Sequence, residues 1–298
     1  MATTSSKASA NRMAKIKALF GCMFVPYLVA AVGVGWQAVT VPALGELEQV
    51  DLRGKTVIIT GSTSGLGQAQ AEVMAAWNAS LVLPVRDMKK GKALQERLQQ
   101  ENPSAPPPVV MEMDLASLES VRAFADQYTG PVDVLVHNAA VLGTGELIRT
   151  QDGFEECSQV NYLSPFLLTS LLLPRLEQSE EARIVHVSAK AHERMPQIFR
   201  PGSVLGPFAW QEFRRRKVLD LEFPKRQMRM LGNLGGSYAD SKLAQVLFSQ
   251  ALARRLPANV VTHSLHPAIV QPTAQHGRNV NSSTCCLFGA YLISQCIL

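Results

Sequence analysis

Beyond residue 50 the chain alternates short, unbroken apolar runs with longer amphipathic stretches. The runs at 55–60, 80–83, 109–113, 132–136, 183–187 and 259–265 are rich in Val, Ile and Leu. Four to seven residues of that composition, bounded by turn-forming residues, predict buried strands. Between them, 68–76, 89–101, 117–128, 153–176 and 238–256 carry apolar residues at helical spacing, and the Pro-rich 103–108 reads as a surface loop. Regular strand–helix alternation predicts an α/β fold in which one parallel sheet is doubly wound, with helices on both faces. Ligands then bind beyond the carboxyl ends of the strands.

Two constellations fall at such positions. The first strand runs straight into Gly61-Ser62-Thr63-Ser64-Gly65-Leu66-Gly67 and then a helix. A strand, a glycine turn and a helix N-terminus bring backbone N–H groups and the positive end of the helix dipole to one point, which suits a pyrophosphate. The second is Tyr238 and Lys242, one helical turn apart. Residues at i and i+4 share a helix face, so an ammonium stands beside a phenol. A neighbouring cation favours the phenolate and brings tyrosine towards general acid/base work.

Length and composition bound the rest. At 298 residues and 47% hydrophobic content the chain can bury one large core. The expected organisation is an N-terminal basic and hydrophobic segment, 1–50, followed by a single catalytic domain, 51–298, with an insertion at 192–235. The net charge of +5 is uneven. Lys7, Arg12, Lys15 and Lys17 precede an N-terminal stretch without acids, and 192–235 holds nine Lys/Arg against four Asp/Glu, leaving the rest mildly acidic. That distribution argues against a nucleic-acid partner, whose basic face belongs on the folded domain. Cys22, Cys157, Cys285, Cys286 and Cys296 are odd in number and lack metal-ligand spacing, so neither a metal site nor a disulfide framework is expected.

From Ala18 to Gly45 there is no charged residue, which is long enough for a membrane helix. Three readings fit it: a membrane anchor, an organelle transit segment with the Ser/Thr-rich start, or a cleaved signal peptide. The anchor is preferred, and with it a membrane-associated protein of the endoplasmic reticulum; a plastid or other organelle is the alternative. Oligomeric state is not legible.

Over residues 52 to about 273 the chain resembles the short-chain dehydrogenase/reductase family, whose sheet is of the Rossmann type. Thr60 to Gly67 matches the cofactor glycine motif. Asp114-Leu115 after the third strand looks like the acidic position that contacts adenine. His137-Asn138-Ala139-Ala140 is similar to the family's N-N-A-G motif, with its first and last residues changed. Asn161, Ser188, Tyr238 and Lys242 correspond to the catalytic tetrad, and His266-Pro267 to the turn on the nicotinamide side. The wording around Asp114, Asn161 and Lys242 is similar to the retinol dehydrogenase and protochlorophyllide reductase branches and to the dehydrogenase half of the WW-domain oxidoreductase.

The resemblance implies that a nicotinamide dinucleotide is held by Gly61, Ser62, Ser64, Gly65, Leu66, Gly67, Asp114, Leu115, Asn138 and Ala139. Tyr238, Lys242, Pro267, Ile269 and Thr273 complete its contacts. It implies that Tyr238 exchanges the proton, that Ser188 holds the substrate oxygen, and that Asn161 orders a water leading from Lys242 to solvent. At the end of the second strand Arg86 takes the place that reaches the adenosine ribose. A guanidinium there pairs with a 2′-phosphate, so NADP(H) is preferred, with NAD(H) as the alternative. The implied substrate is a lipophilic alcohol or carbonyl compound of retinoid, steroid or lipid type.

Three features depart from the family pattern. Ser188 and Tyr238 are separated by the long basic insertion. Alanines stand at 140 and 268 where glycine is usual. Only 25 residues follow Thr273, without a clear candidate for a last strand. The alternatives to such an oxidoreductase are therefore a cofactor-binding scaffold or regulatory protein that does not turn over, and an enzyme like the protochlorophyllide reductases.

Overall fold

The computed structural model describes residues 50–142, 147–189 and 237–267. The N-terminal segment, the insertion at 192–235, and Ala268, Ile269, Thr273 and the tail lie outside them. The described strands are β1 (Thr56–Ile59), β2 (Ser80–Val85), β3 (Val109–Glu112), β4 (Val134–His137), β5 (Ala182–Val187) and β6 (Val260–Leu265). The helices are α1 (Gly65–Ala76), α2 (Met88–Glu101), α3 (Leu118–Gln127), α4 (Glu156–Ser158), α5 (Ser164–Leu176) and α6 (Ser237–Ala253), with a π-helical turn, Gln159–Leu163, joining α4 to α5. No helix among the described residues is long and apolar enough to cross a membrane.

All six strands are parallel, in the order β3-β2-β1-β4-β5-β6. The expected doubly wound sheet is therefore present. Sequence order reverses between β1 and β4, the topological switch point at which such sheets open a crevice for a ligand. The central strands follow the composition rule: every residue of β1 and β4 is buried, whereas edge strand β3 exposes Val109 and Glu112. On one face, α3 brings Val121 and Phe124, and α5 brings Leu168, Leu172 and Leu176 at i, i+4 spacing, onto Leu135 of β4 and Ile184 of β5.

One correction concerns a helix. The stretch 153–176 is not one helix. Thr150 and Gly153 form a turn closed by an Arg149–Glu155 bridge, and the helix begins only where the Glu155 carboxylate accepts from Ser158 N at 2.8 Å. It then takes the π turn before α5. At α2, Asp87 is the N-cap, accepting from Lys89 N and Lys90 N at 3.0 and 3.2 Å. Arg86 is exposed beside it.

Behind the site, His137 and His186 stack with ring centroids 4.9 Å apart, both fully buried. Burial lowers both pKa values, that of His186 to about 3 with Lys242 adding to the shift, and that of His137 with His186 adding to it. Both rings are neutral in the fold and protonate near 6.5 when unfolded. The unfolded chain therefore binds more protons as pH falls below 6.5, and stability is lost progressively from there towards pH 3. Urea midpoints should drop steeply between pH 6.5 and 4, and His186→Phe, which keeps a stacked ring, should flatten that dependence.

Candidate active site

The crevice at the switch point has a volume of about 460 Å³ and is lined by Gly61, Ser62, Ser64, Leu66, Arg86, Asp114, Leu115, Asn138 and Ala139 among others. Nine of the expected cofactor residues thus share one cavity. Gly65 and Gly67 lie in the first turn of helix α1, flanking the lining residue Leu66. Thr60 ties the two sides together: its hydroxyl donates to Val136 O at 3.2 Å and accepts from Asn138 N and Ala139 N at 3.1 and 3.2 Å. The Asn138 amide donates to Thr60 O and Gly61 O at 3.1 and 3.3 Å. It therefore braces the glycine turn from behind.

The glycine turn fits a dinucleotide phosphate on geometric grounds. Gly61 has φ +68°, and a Cβ at Gly67 would lie 2.2 Å from Gly61 O and 2.4 Å from Asn138 Nδ2. The N-cap of α1, Ser64, makes no side-chain capping bond, so the first N–H groups of the helix are left to a ligand. The buried Ser62 hydroxyl beside them also has no protein partner among the described residues.

Asn161 lies in the π turn at the edge of this crevice. Its side chain grips Val141, which lines the cavity, from both sides: Oδ1 accepts from Val141 N at 2.8 Å and Nδ2 donates to Val141 O at 3.0 Å. Nδ2 also donates to Ser241 Oγ at 3.0 Å, so one amide joins the loop after β4 to helix α6. The Asn161 carbonyl accepts from Gln245 Nε2 at 2.7 Å.

On α6, Tyr238 is half-buried and Lys242 fully buried, with Nζ 5.7 Å from the centroid of the phenol ring. The ammonium is directed to Val187 O at 2.8 Å and Gln245 Oε1 at 3.1 Å. The expected lowering of the tyrosine pKa is not found. Burial raises it, with the Cys157 thiol adding to the rise. Burial also lowers Lys242 to about 7, against a smaller upward pull from Cys157. Helical spacing put the two groups on one face, but desolvation outweighs the attraction between them. Ser188, just past β5, donates its hydroxyl to Lys242 O at 2.8 Å. In this arrangement it offers a substrate only lone pairs.

Pro267 is buried just after β6. Two residues at this site were not foreseen. Gln245 follows Lys242 by three positions on the same face, and Cys157, fully buried with Sγ 3.6 Å from Val141 O, lies one turn before Asn161. Spacing on each helix was the available signal.

Residues 55–201 match the short chain dehydrogenase family. The chain is 37% identical over 227 residues to dehydrogenase/reductase SDR family member 13 of Bos taurus, covering 74% of this chain and 52% of that protein. It is 36% identical over 226 residues to retinol dehydrogenase 11 of Homo sapiens, covering 74% of this chain and 63% of that one. Among solved structures, an uncharacterized protein from Mycobacterium paratuberculosis superposes with a TM-score of 0.59 at 33% identity, covering 82% and 76% of the two chains. The chain belongs to the short-chain dehydrogenase/reductase family. It spans about half to two thirds of the length of the curated relatives it matches.

Proposed function

We propose that this chain is an NADP(H)-dependent oxidoreductase acting on a lipophilic alcohol or carbonyl compound, with Tyr238 as the group that exchanges the proton. One observation carries the reading: through Asn161, the loop after β4 that lines the crevice at Val141 is hydrogen-bonded to the helix that bears Tyr238 and Lys242. A nicotinamide dinucleotide held by the glycine turn, Asp114, Leu115 and Ala139 would supply the hydride chemistry. The protein supplies position and a proton. A phenol whose pKa is pushed up stays protonated at neutral pH, which suits donation to a carbonyl oxygen and hence reduction.

The lipophilic substrate class rests on the likeness to a retinol dehydrogenase and on the uncharged N-terminal stretch, which we assign to membrane attachment. The test is NADPH consumption by membrane and soluble fractions against retinoids, steroid ketones and aliphatic aldehydes. Turnover of at least one of them in the membrane fraction is expected. Turnover only of small polar carbonyls, in the soluble fraction, would contradict the assignment.

Arg86 carries the cofactor preference. It is exposed on the wall of the crevice, beside the N-terminus of α2. A charge-assisted bond to a 2′-phosphate is worth roughly 1.5–3 kcal/mol, so Arg86→Gln should weaken NADPH binding about 10- to 100-fold and leave NADH nearly unaffected. Equal losses in calorimetric titrations of the two would remove the preference.

A second reading, a dinucleotide-binding protein without turnover, is favoured by the engagement of the tetrad: the Lys242 ammonium is turned to Val187 O and the Ser188 hydroxyl to Lys242 O. NADPH binding without consumption across the whole panel would select it.

A further inference from the structure

Asn161 precedes Pro165 by four residues. In an α-helix the carbonyl of residue i accepts from the N–H of residue i+4, and proline has no N–H to give. The Asn161 carbonyl thus loses its ordinary partner, and the chain takes the π turn at this point. A buried carbonyl in that position calls for an outside donor. Gln245 provides it, from a helix 84 residues further along the chain, with Nε2 at 2.7 Å. The oxygen of the same amide accepts from Lys242 Nζ at 3.1 Å. Asn161, Gln245 and Lys242 are 0%, 1% and 2% exposed, so the whole chain of contacts is buried.

We propose that Gln245 is a positioning residue: its amide ties the Lys242 amine to the Asn161 carbonyl. An amide whose oxygen accepts from the amine and whose nitrogen is itself anchored holds Lys242 in one direction, and with it the charge beside Tyr238. The consequence for catalysis rests on the oxidoreductase reading; the tie itself does not.

Among the described residues, the titratable groups around the amine are Tyr238 on its own helix, Cys157 from α4 and His186 from β5. Gln245 adds an acceptor oxygen without adding charge. A change at 245 should therefore be read out at the amine itself.

The experiment follows Lys242 by NMR of protein labelled with 13Cε-lysine, the resonance being assigned by its loss in Lys242→Met. The wild-type midpoint is expected near pH 7. Gln245→Glu places a carboxylate beside the amine and should raise the midpoint by about one unit or more. Gln245→Met matches the amide in length, removes the acceptor and should lower it. Should the glutamate variant fail to fold, the methionine variant decides alone. Midpoints unchanged in the folded variants would overturn the proposal. The pH profile of kcat should move with the lysine midpoint. A lysine that shifts while the profile stays fixed would support the Gln245 tie and remove the Lys242 proton from turnover, whereas a lysine that shifts in a protein without turnover at any pH would support the tie and count against the oxidoreductase reading.

Discussion

Tyr238→Phe is expected to lower kcat/KM for carbonyl reduction by a factor of about 10² to 10⁴, the usual contribution of a positioned general acid, while leaving NADPH affinity within a factor of about two. The argument is local. The change removes one hydroxyl from a half-buried ring at the N-terminal end of α6 and leaves untouched the Asn161 bonds that join this helix to the loop after β4. Because burial holds the phenol protonated well above neutral pH, loss of its proton should lower the rate of reduction only on the alkaline side, separate from the change that follows the Lys242 midpoint near 7. Steady-state kinetics with fluorescence titration of NADPH separate the two effects. Unchanged turnover in Tyr238→Phe would remove tyrosine from the mechanism, whatever the substrate.

Gly67→Ala should act on the other half of the site. The added methyl has no room: Gly61 O, Gly61 C and Asn138 Nδ2 lie 2.2, 2.9 and 2.4 Å from the position of a Cβ. Two of those atoms are backbone, so the glycine turn must move away from α1. Overpacking of this kind costs roughly 1–3 kcal/mol of stability. It also displaces the N–H groups that face the phosphate, and since ~1.4 kcal/mol is tenfold in affinity, nucleotide binding should fall at least about tenfold. Thermal melts with and without NADPH measure both losses together. Full cofactor-induced stabilisation in the variant would show that the phosphate is not held at this turn.

The sheet was legible because its strands are short apolar runs whose burial depends mainly on their own composition. The glycine turn was legible for the same local reason: Gly61 needs its positive φ and Gly67 its missing side chain, whatever the rest of the chain does. The helices were less so. Periodicity carried 153–176 as one element because the apolar spacing runs through it, but the Glu155 cap and the break before Pro165 divide it.

The polar side of the site was the least legible part. Tyr238 and Lys242 could be placed on one face from their spacing, yet the direction of the lysine depends on Val187 and Gln245, and its pKa on burial that spacing does not report. Asn161 shows the same limit. As a buried amide it satisfies Val141 and Ser241, contacts made across 20 and 80 residues that no local pattern encodes. The proline that deprives its carbonyl of a helical donor is in the sequence; the glutamine that replaces the donor is visible only in three dimensions.

The most direct test of the central claim is isotopic. NADPH deuterated at the nicotinamide C4 position is incubated with the protein and a lipophilic aldehyde from the reactive panel, and the alcohol is examined by mass spectrometry. One deuterium per product molecule is expected with the wild-type protein, and almost no product with Tyr238→Phe over the same interval. Alcohol formed without label from either C4 face, or formed equally fast by the phenylalanine variant, would contradict the claim that this crevice joins a bound nicotinamide to a proton from Tyr238.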